Sequence, residues 1–441
     1  MEALFSIQRL IFYCDVNLKT QFERSRKKAI STIAIAVVVV VIIVIAAAGV
    51  YYYSTLGTSS SSTTTSSSTS PTTTTSTQLL ASSSSCQITP APPTGATVST
   101  TSSSTLASSL PSESIAETGS TLLYPLFQDW VPNFTKTYNS VQISTAGTGS
   151  GTGISDAAAG SVQIGASDAY LLPTQMTQYP NLLNIPLAIS AQQIWYNIPG
   201  VPSTMHLNFT GEVLAAIYNG TITNWNNAYI KAINPGAASV LPNHVIIPIR
   251  RQDGSGDTFI FTTYLSDSSS SWNSSVGFAT TVSWPSVAGE LSAIGNGGMV
   301  TASQQNQYSV AYIGISFMSQ ALGDNLGYAF LGNKAGNFVN ATQSNISAAA
   351  SQLTANTPSN EAISLVCASG ANSYPIINYE YAIVAKTQSS ANVAQVVATF
   401  LTWCLLPQYG NSYSYLNKVG FIQLPAATVA LSEAQIAQIT G

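Results

Sequence analysis

Charge is scarce in this chain. Charged residues make up 7% of its 441 positions, against about 25% in an ordinary soluble domain. Histidine is scarcer still: only His206 and His244 occur, distant from each other and outside every glycine-rich segment. A histidine-based catalytic centre is therefore not expected. The four cysteines, Cys14, Cys86, Cys367 and Cys404, form no C-x-x-C pair, which argues against a zinc site. Cys367 and Cys404 either pair with each other outside the cell or remain two buried thiols. Basic residues are also misplaced for a polyanion surface. Arg9, Lys19, Arg24, Arg26, Lys27 and Lys28 precede the one long apolar run, and beyond it seven basic residues face fourteen acidic ones, a formal charge of −7. That excludes nucleic acid as a partner.

The apolar run itself, Ala29 to Val50, carries no charge. As a helix it reaches roughly 33 Å, enough for a bilayer core. Arg24, Arg26, Lys27 and Lys28 just before it mark the cytoplasmic side, and Tyr51, Tyr52 and Tyr53 just after it suit an aromatic belt. The Arg-Lys-Lys-Ala junction also resembles a pilin-type signal cut between Ala29 and Ile30; an uncleaved anchor is the alternative. Serine and threonine dominate residues 54–112, a composition expected to form a disordered stalk rather than a core. Six N-x-S/T sequons follow, at Asn133, Asn208, Asn219, Asn273, Asn340 and Asn345, consistent with a glycosylated exterior domain.

From about Glu113 onward strand-like and helix-like segments alternate, which implies α/β layers. VQIGAS (162–167), IPLAIS (185–190), QIWYNI (193–198), HVIIPI (244–249) and EYAIVA (380–385) read as buried strands. GEVLAAIYNG, capped by Thr210, SSANVAQVVATFLTWCLL (389–406) and LSEAQIAQI (431–439) read as helices. Roughly 330 residues suggests two lobes.

Three segments rich in small residues each lead into a helix: Gly119-Ser120-Thr121, Gly147–Gly153 (GTGSGTG) and Arg251–Asp257 (RQDGSGD). A helix start offers unpaired N–H groups and about half a positive charge, and glycine lets an anion reach that backbone. Arg251 adds a guanidinium that can meet a tetrahedral oxyanion with two parallel bonds. GTGSGTG breaks the dinucleotide-binding frame at Thr152, and no G-x-x-x-x-G-K-[ST] exists. The pattern points to an oxyanion trap, with phosphate as the leading candidate.

GSTLLYP, GTGSGTG followed by IGASDAYL, IRRQDGSGDTF, SWP, GNGG and GFIQLP occur in that order between about Thr118 and Pro425. This series resembles the phosphate-binding proteins of high-affinity phosphate ABC transporters. The resemblance implies a two-lobed periplasmic-binding-protein fold of the Venus-flytrap type, here preceded by one transmembrane helix and the stalk. It implies phosphate contacts from Thr121 through its hydroxyl, Leu122 through its N–H, Ser150, Asp168 as acceptor of the phosphate proton, Arg251, Ser255, Gly256 and Asp257. Asp253 would orient Arg251, with Gly149 and Gly151 supporting. Leu122 stands where phenylalanine is usual and keeps the N–H. Asp257 stands where threonine is frequent: either it only favours the helix dipole and points away, or it is a second proton acceptor favouring dihydrogen phosphate.

The expected organisation is a cytoplasmic segment or signal prefix (1–28), anchor (29–53), linker (54–112), first part of lobe 1 (113–196), lobe 2 (197–378) and second part of lobe 1 (379–441). Hinge crossings are expected near Asn197–Gly200 and Pro375–Asn378. The expected partners are inorganic phosphate, the permease subunits of an ABC transporter, and the membrane through the N-terminal helix. No cofactor, metal or covalent chemistry is implied. The rival readings are a surface phosphatase using the same anion cradle and a cell-surface structural or adhesion protein.

Overall fold

A computed structural model describes residues 85–88 and 106–441. The candidate anchor and most of the linker lie outside the described residues, and among the described residues no helix is long and apolar enough to cross a membrane.

The body is built on one long sheet. Its strands are β1 (Glu113–Gly119), β2 (Val141–Gly147), β3 (Ile164–Ser167), β4 (Leu182–Asn197), β6 (Ile247–Arg251), β7 (Leu291–Ala293), β8 (Ser309–Gly314), β9 (Gly327–Tyr328) and β12 (Ile377–Ala385). The order is β2-β1-β3-β12-β4-β8-β6-β7, with β9 also on β4. A small second sheet runs β11 (Phe338–Val339), β10 (Phe330–Gly332), β5 (Asn208–Phe209). β1 pairs in parallel with β2 and β3, and β6 in parallel with β7 and β8. Each parallel set feeds helices, as right-handed crossovers require. The result is a two-lobed α/β fold of the periplasmic-binding-protein type.

β4 joins the two halves. It pairs with β12 from Leu182 to Ala191 and with β8 from Gln192 to Asn197. Sequence separates IPLAIS from QIWYNI because Ser190, Gln192 and Gln193 interrupt the apolar run. The structure fuses them into one buried strand, in which Ser190 Oγ donates to Glu380 and Gln192 Nε2 donates to Asp257 at 3.1 Å, while Gln193 Oε1 stays buried without a hydrogen-bond partner among the described residues. Two other boundaries shift. HVIIPI yields a strand over Ile247–Arg251, so both arginines belong to the strand end. The last helix starts at Ala426, directly after Pro425, rather than at Leu431; proline pre-sets the entry dihedral of a helix.

Each half has its own aromatic core. In the first, Phe127, Trp130 and Phe134 of helix Tyr124–Thr137 meet Phe400 and Trp403 of helix Ala391–Leu405. In the second, Tyr218, Phe261, Tyr312 and Trp284 pack together. Helix Gly256–Ser268 is buried on every face, so it is a central element rather than a surface one. Its position fixes the site described below.

The cysteine expectation is corrected. Cys367 bonds to Cys86, not to Cys404, and Cys404 is a free buried thiol. Cys404 lies inside helix Ala391–Leu405, whose backbone there is packed against Gly410. The bridge closes a separation of 281 residues, worth about 5 kcal/mol in a chain-entropy picture. Two pieces of the stretch read as linker are thus ordered. Ser85 and Cys86 are buried, with Gly211 N donating to Ser85 Oγ at 3.0 Å. Leu110 is buried beside β1, and Ser140 Oγ donates to its carbonyl at 2.9 Å. The first piece is held by the disulfide and by hydrogen bonds, Ser85 N to Asn333 O at 3.1 Å among them.

Candidate anion-binding site

Three strand ends deliver the three small-residue loops to one place. β1 ends at Gly119, where a Cβ would fall 2.0 Å from the Ala166 carbonyl oxygen; only glycine lets β1 and β3 run this close. Ser120 follows. Its N–H donates to Ala166 O at 2.9 Å, and its Oγ accepts from Leu123 N at 2.9 Å and donates to the Asp168 carboxylate. Thr121 Oγ1 accepts from the backbone N and the Nδ2 of Asn296, at 3.2 and 3.0 Å. Leu122 is fully buried, and its carbonyl accepts from Ser316 Oγ at 2.7 Å.

The second loop leaves β2 and enters helix Ser150–Ala159 through Gly149, whose φ is +99°. Ser150 is buried, and its Oγ accepts from Asp168 N at 3.1 Å. The third loop leaves β6 after Arg251 and enters helix Gly256–Ser268 through Ser255. That serine caps the helix, its Oγ accepting from Thr258 N at 3.4 Å. Its carbonyl takes Phe259 N. The amides of Gly256 and Asp257 are then the first-turn donors left without an intrahelical carbonyl.

Glycines let the second and third loops interlock. Gly151 N donates to Gly254 O at 2.9 Å. A Cβ on Gly149 would lie 2.5 Å from Asp253 Oδ2, and one on Gly256 would lie 2.5 Å from Asp168 Oδ2 and 2.6 Å from Ser150 Oγ. Thr121, Leu122, Ser150, Asp168, Arg251, Ser255, Gly256 and Asp257 are therefore all buried in one neighbourhood, with Gly149, Gly151 and Asp253 around it.

The charges are unevenly placed. Arg251 Nε donates to Asp253 Oδ1 at 2.8 Å, its Nη2 pairs with Asp253 Oδ2, and its Nη1 donates to Asp257 Oδ2 at 2.8 Å. Burial disfavours the charged Asp253, but the hydrogen bond and charge of Arg251 outweigh it and hold the carboxyl below its usual range. Asp257 does not point away: it is fully buried and is pushed up by burial, against Arg251 and the amides of Gln192 and Asn296. Asp168 is pushed up to about 7, by burial and then by the charge of Asp257, against a hydrogen bond from Ser120. Burial and the Asp168 charge push Glu380 well above the carboxylate range. Glu380 Oε1 accepts from Ser190 Oγ, and its Oε2 has no hydrogen-bond partner among the described residues.

Sequence reading missed four contributors. Ser120 and Asn296 lie inside motifs already noticed, GST and GNGG, but no role was attached to them. Glu380 is a lone acid in an otherwise apolar strand, a readable signal of a special environment. Gln192 gave no signal at all, because only the fusion of two strands through it reveals its place.

This fold and site define a class, the two-lobed solute-binding proteins. The family described as the PBP superfamily domain matches residues 59–408. The phosphate-binding protein PstS of Methanocaldococcus jannaschii is 33% identical over 327 residues, covering 70% of this chain and 82% of that protein. PstS of Xylella fastidiosa is 30% identical over 324 residues, covering 73% and 85% respectively. The chain belongs to this PstS-type phosphate-binding family. Two solved structures share the fold: a high-affinity periplasmic phosphate-binding protein bound with phosphate, with TM-score 0.57, and the phosphate-binding protein of Stenotrophomonas maltophilia, with TM-score 0.53. Each is 20% identical and covers 73% of this chain and 93% of its own.

Proposed function

We propose that this protein binds inorganic phosphate between its two lobes and delivers it to the permease of an ABC transporter. The observation that carries the reading is the convergence of three helix-start loops on Asp168, a buried carboxylate that accepts from Ser120 Oγ. A buried carboxylate repels a buried anion unless a proton lies between them. Phosphate carries that proton at neutral pH and sulfate does not. Asp168 would accept it, while Thr121, Ser150, Ser255 and the amides of Leu122, Gly256 and Asp257 would hold the remaining oxygens and Arg251 their charge.

The lobes are read as meeting where β4 changes partner, between Ala191 and Gln192, ahead of the crossing expected from sequence at Asn197–Gly200, and at Ile377 opposite, within the expected Pro375–Asn378. Ligand touching loops from both lobes would favour the closed form. The reading is of a binding protein, not an enzyme. Ala29–Val50 is read as the anchor that holds this body outside the cell, with partial support from the stalk composition and the sequons.

The test is calorimetric titration of the full chain in detergent, stripped of bound anion, with phosphate and then sulfate. Tight one-to-one phosphate binding with sulfate silent is expected. Asp168→Asn should narrow the phosphate-over-sulfate ratio by at least about tenfold, since a like charge set against an anion costs several kcal/mol. An unchanged ratio would reject the role of Asp168, and no phosphate binding would reject the function.

A further inference from the structure

The guanidinium of Arg251 is already engaged by carboxylates on two sides. Asp253 takes Nε and Nη2, and Asp257 takes Nη1 at 2.8 Å. The same Oδ2 of Asp257 accepts from Asn296 Nδ2 at 2.7 Å, and its Oδ1 accepts from Gln192 Nε2 at 3.1 Å. Asp257 therefore cannot swing outward without stranding three buried donors. It is also the second residue of helix Gly256–Ser268, so its carboxylate and the first-turn amides left without an intrahelical carbonyl belong to the same turn. On the other side stands Asp168, against which Gly256 is packed.

Every charge facing Asp257 can be named. Arg251 and Asp253 come from β6 and the turn after it, Asp168 from the end of β3 and Glu380 from β12. Tyr312 of β8 lies near, its hydroxyl tied to Thr258 Oγ1 at 2.7 Å and to Arg251 N at 2.9 Å. Gln192 of β4 and Asn296 of helix Gly295–Gln305 are neutral. One cation thus serves two carboxylates before any ligand arrives.

Resting on the phosphate-binding reading above, we propose that the site takes phosphate in its monobasic form, one O–H donated to Asp168 and the second to Asp257. Dibasic phosphate has a single O–H and leaves one of the two carboxylates facing an unprotonated oxygen. It binds only by taking up one proton from solution, which converts it to the monobasic ion in the site. The raised affinity of Asp168 and Asp257 for protons acts in the same direction. Asp257 is then the residue that sets which ionic form is bound.

Inorganic phosphate is titrated calorimetrically into the full chain in detergent between pH 5.5 and 8.5, in pairs of buffers with different protonation enthalpies. The wild type is expected to take up close to one proton at pH 8, with affinity for total phosphate falling about tenfold per pH unit above phosphate's second ionisation. Asp257→Thr and the shape-preserving Asp257→Asn should abolish the uptake and flatten the profile. Tight binding without proton uptake at pH 8, or uptake that persists in Asp257→Asn, overturns the proposal and leaves phosphate binding standing. Failure of the wild type to bind at any pH overturns both.

Discussion

The loop Gly147–Gly153 and the loop Arg251–Asp257 do the same geometric work by opposite means. The first presents only amides and hydroxyls, and no charged side chain occurs in it. The second crowds one arginine and two aspartates into a turn, all ion-paired. They touch through Gly149, Gly151 and Gly254. On the proposed reading the difference is a division of labour: the dipole-only loop would fix where an oxyanion sits, and the charge-saturated loop would fix which anion and which protonation state are accepted. A helix dipole is indifferent to the proton on its ligand, whereas a buried carboxylate is not.

Removing the cation should break this arrangement most severely. Arg251→Met leaves Asp257 buried and the partly buried Asp253 beside it, both without a cation. Loss of phosphate affinity beyond about a hundredfold is expected, together with about 3–5 kcal/mol of stability. Calorimetry and urea melts check both, and retention of either would show that Asp257 and Asp253 do not depend on Arg251.

The contact between the loops is tested by a pair of glycines. Gly149→Ala, at φ +99°, drives a Cβ to 2.5 Å from Asp253 Oδ2; Gly160→Ala, at φ +70°, meets nothing within 4 Å. Gly160, at ψ +16°, lies in the left-handed helical region, where alanine costs about 1–2 kcal/mol; Gly149, at ψ +145°, lies in a region essentially reserved for glycine, so Gly149→Ala should also lose more stability. Only Gly149→Ala should weaken phosphate binding, by about tenfold or more, an energy of about 1.4 kcal/mol. Equal affinities in the two variants would dissolve the comparison.

The smallest effect lies beneath the amide-only side. Glu117, on β1, is buried with neither carboxyl oxygen hydrogen-bonded. Burial pushes it well above the carboxylate range. A folded-state pKa above the unfolded one gives stability that is present in acid and lost as pH rises through the folded value. Glu361 and Glu380 act alike, and Asp168 and Glu212, each pushed to about 7, add to the loss up to neutrality. Melting temperature should therefore fall from pH 5 to pH 8. Glu117→Met should raise stability at pH 8 by about 1–3 kcal/mol, leave pH 5 nearly unchanged and shallow the slope. A parallel shift at both pH values would assign the gain to packing instead.

Much of this was legible before any coordinates. The helix cap Thr210 was marked by residue type alone, and it accepts from the backbone amide three residues on; Ser255 and Ser390 do the same, though the sequence reading gave them no capping role. The three anion loops were marked by glycine and hydroxyl spacing, since few other residues allow a tight strand-to-helix turn. The order of the motifs pointed to the family. Those are local facts, and local chemistry determines them.

Tertiary structure decided the rest. Cys86 rather than Cys404 meets Cys367 because two sulfurs bond only where the fold brings them together, and sequence carries no distance. The long β4 is continuous through polar Ser190 and Gln192, which donate to partners on β12 and helix Gly256–Ser268. Asp257 turns inward because Arg251, Gln192 and Asn296, drawn from three different elements, all donate to it. Residue type places a carboxylate on a helix start; only the assembled interior decides whether water or a buried arginine faces it.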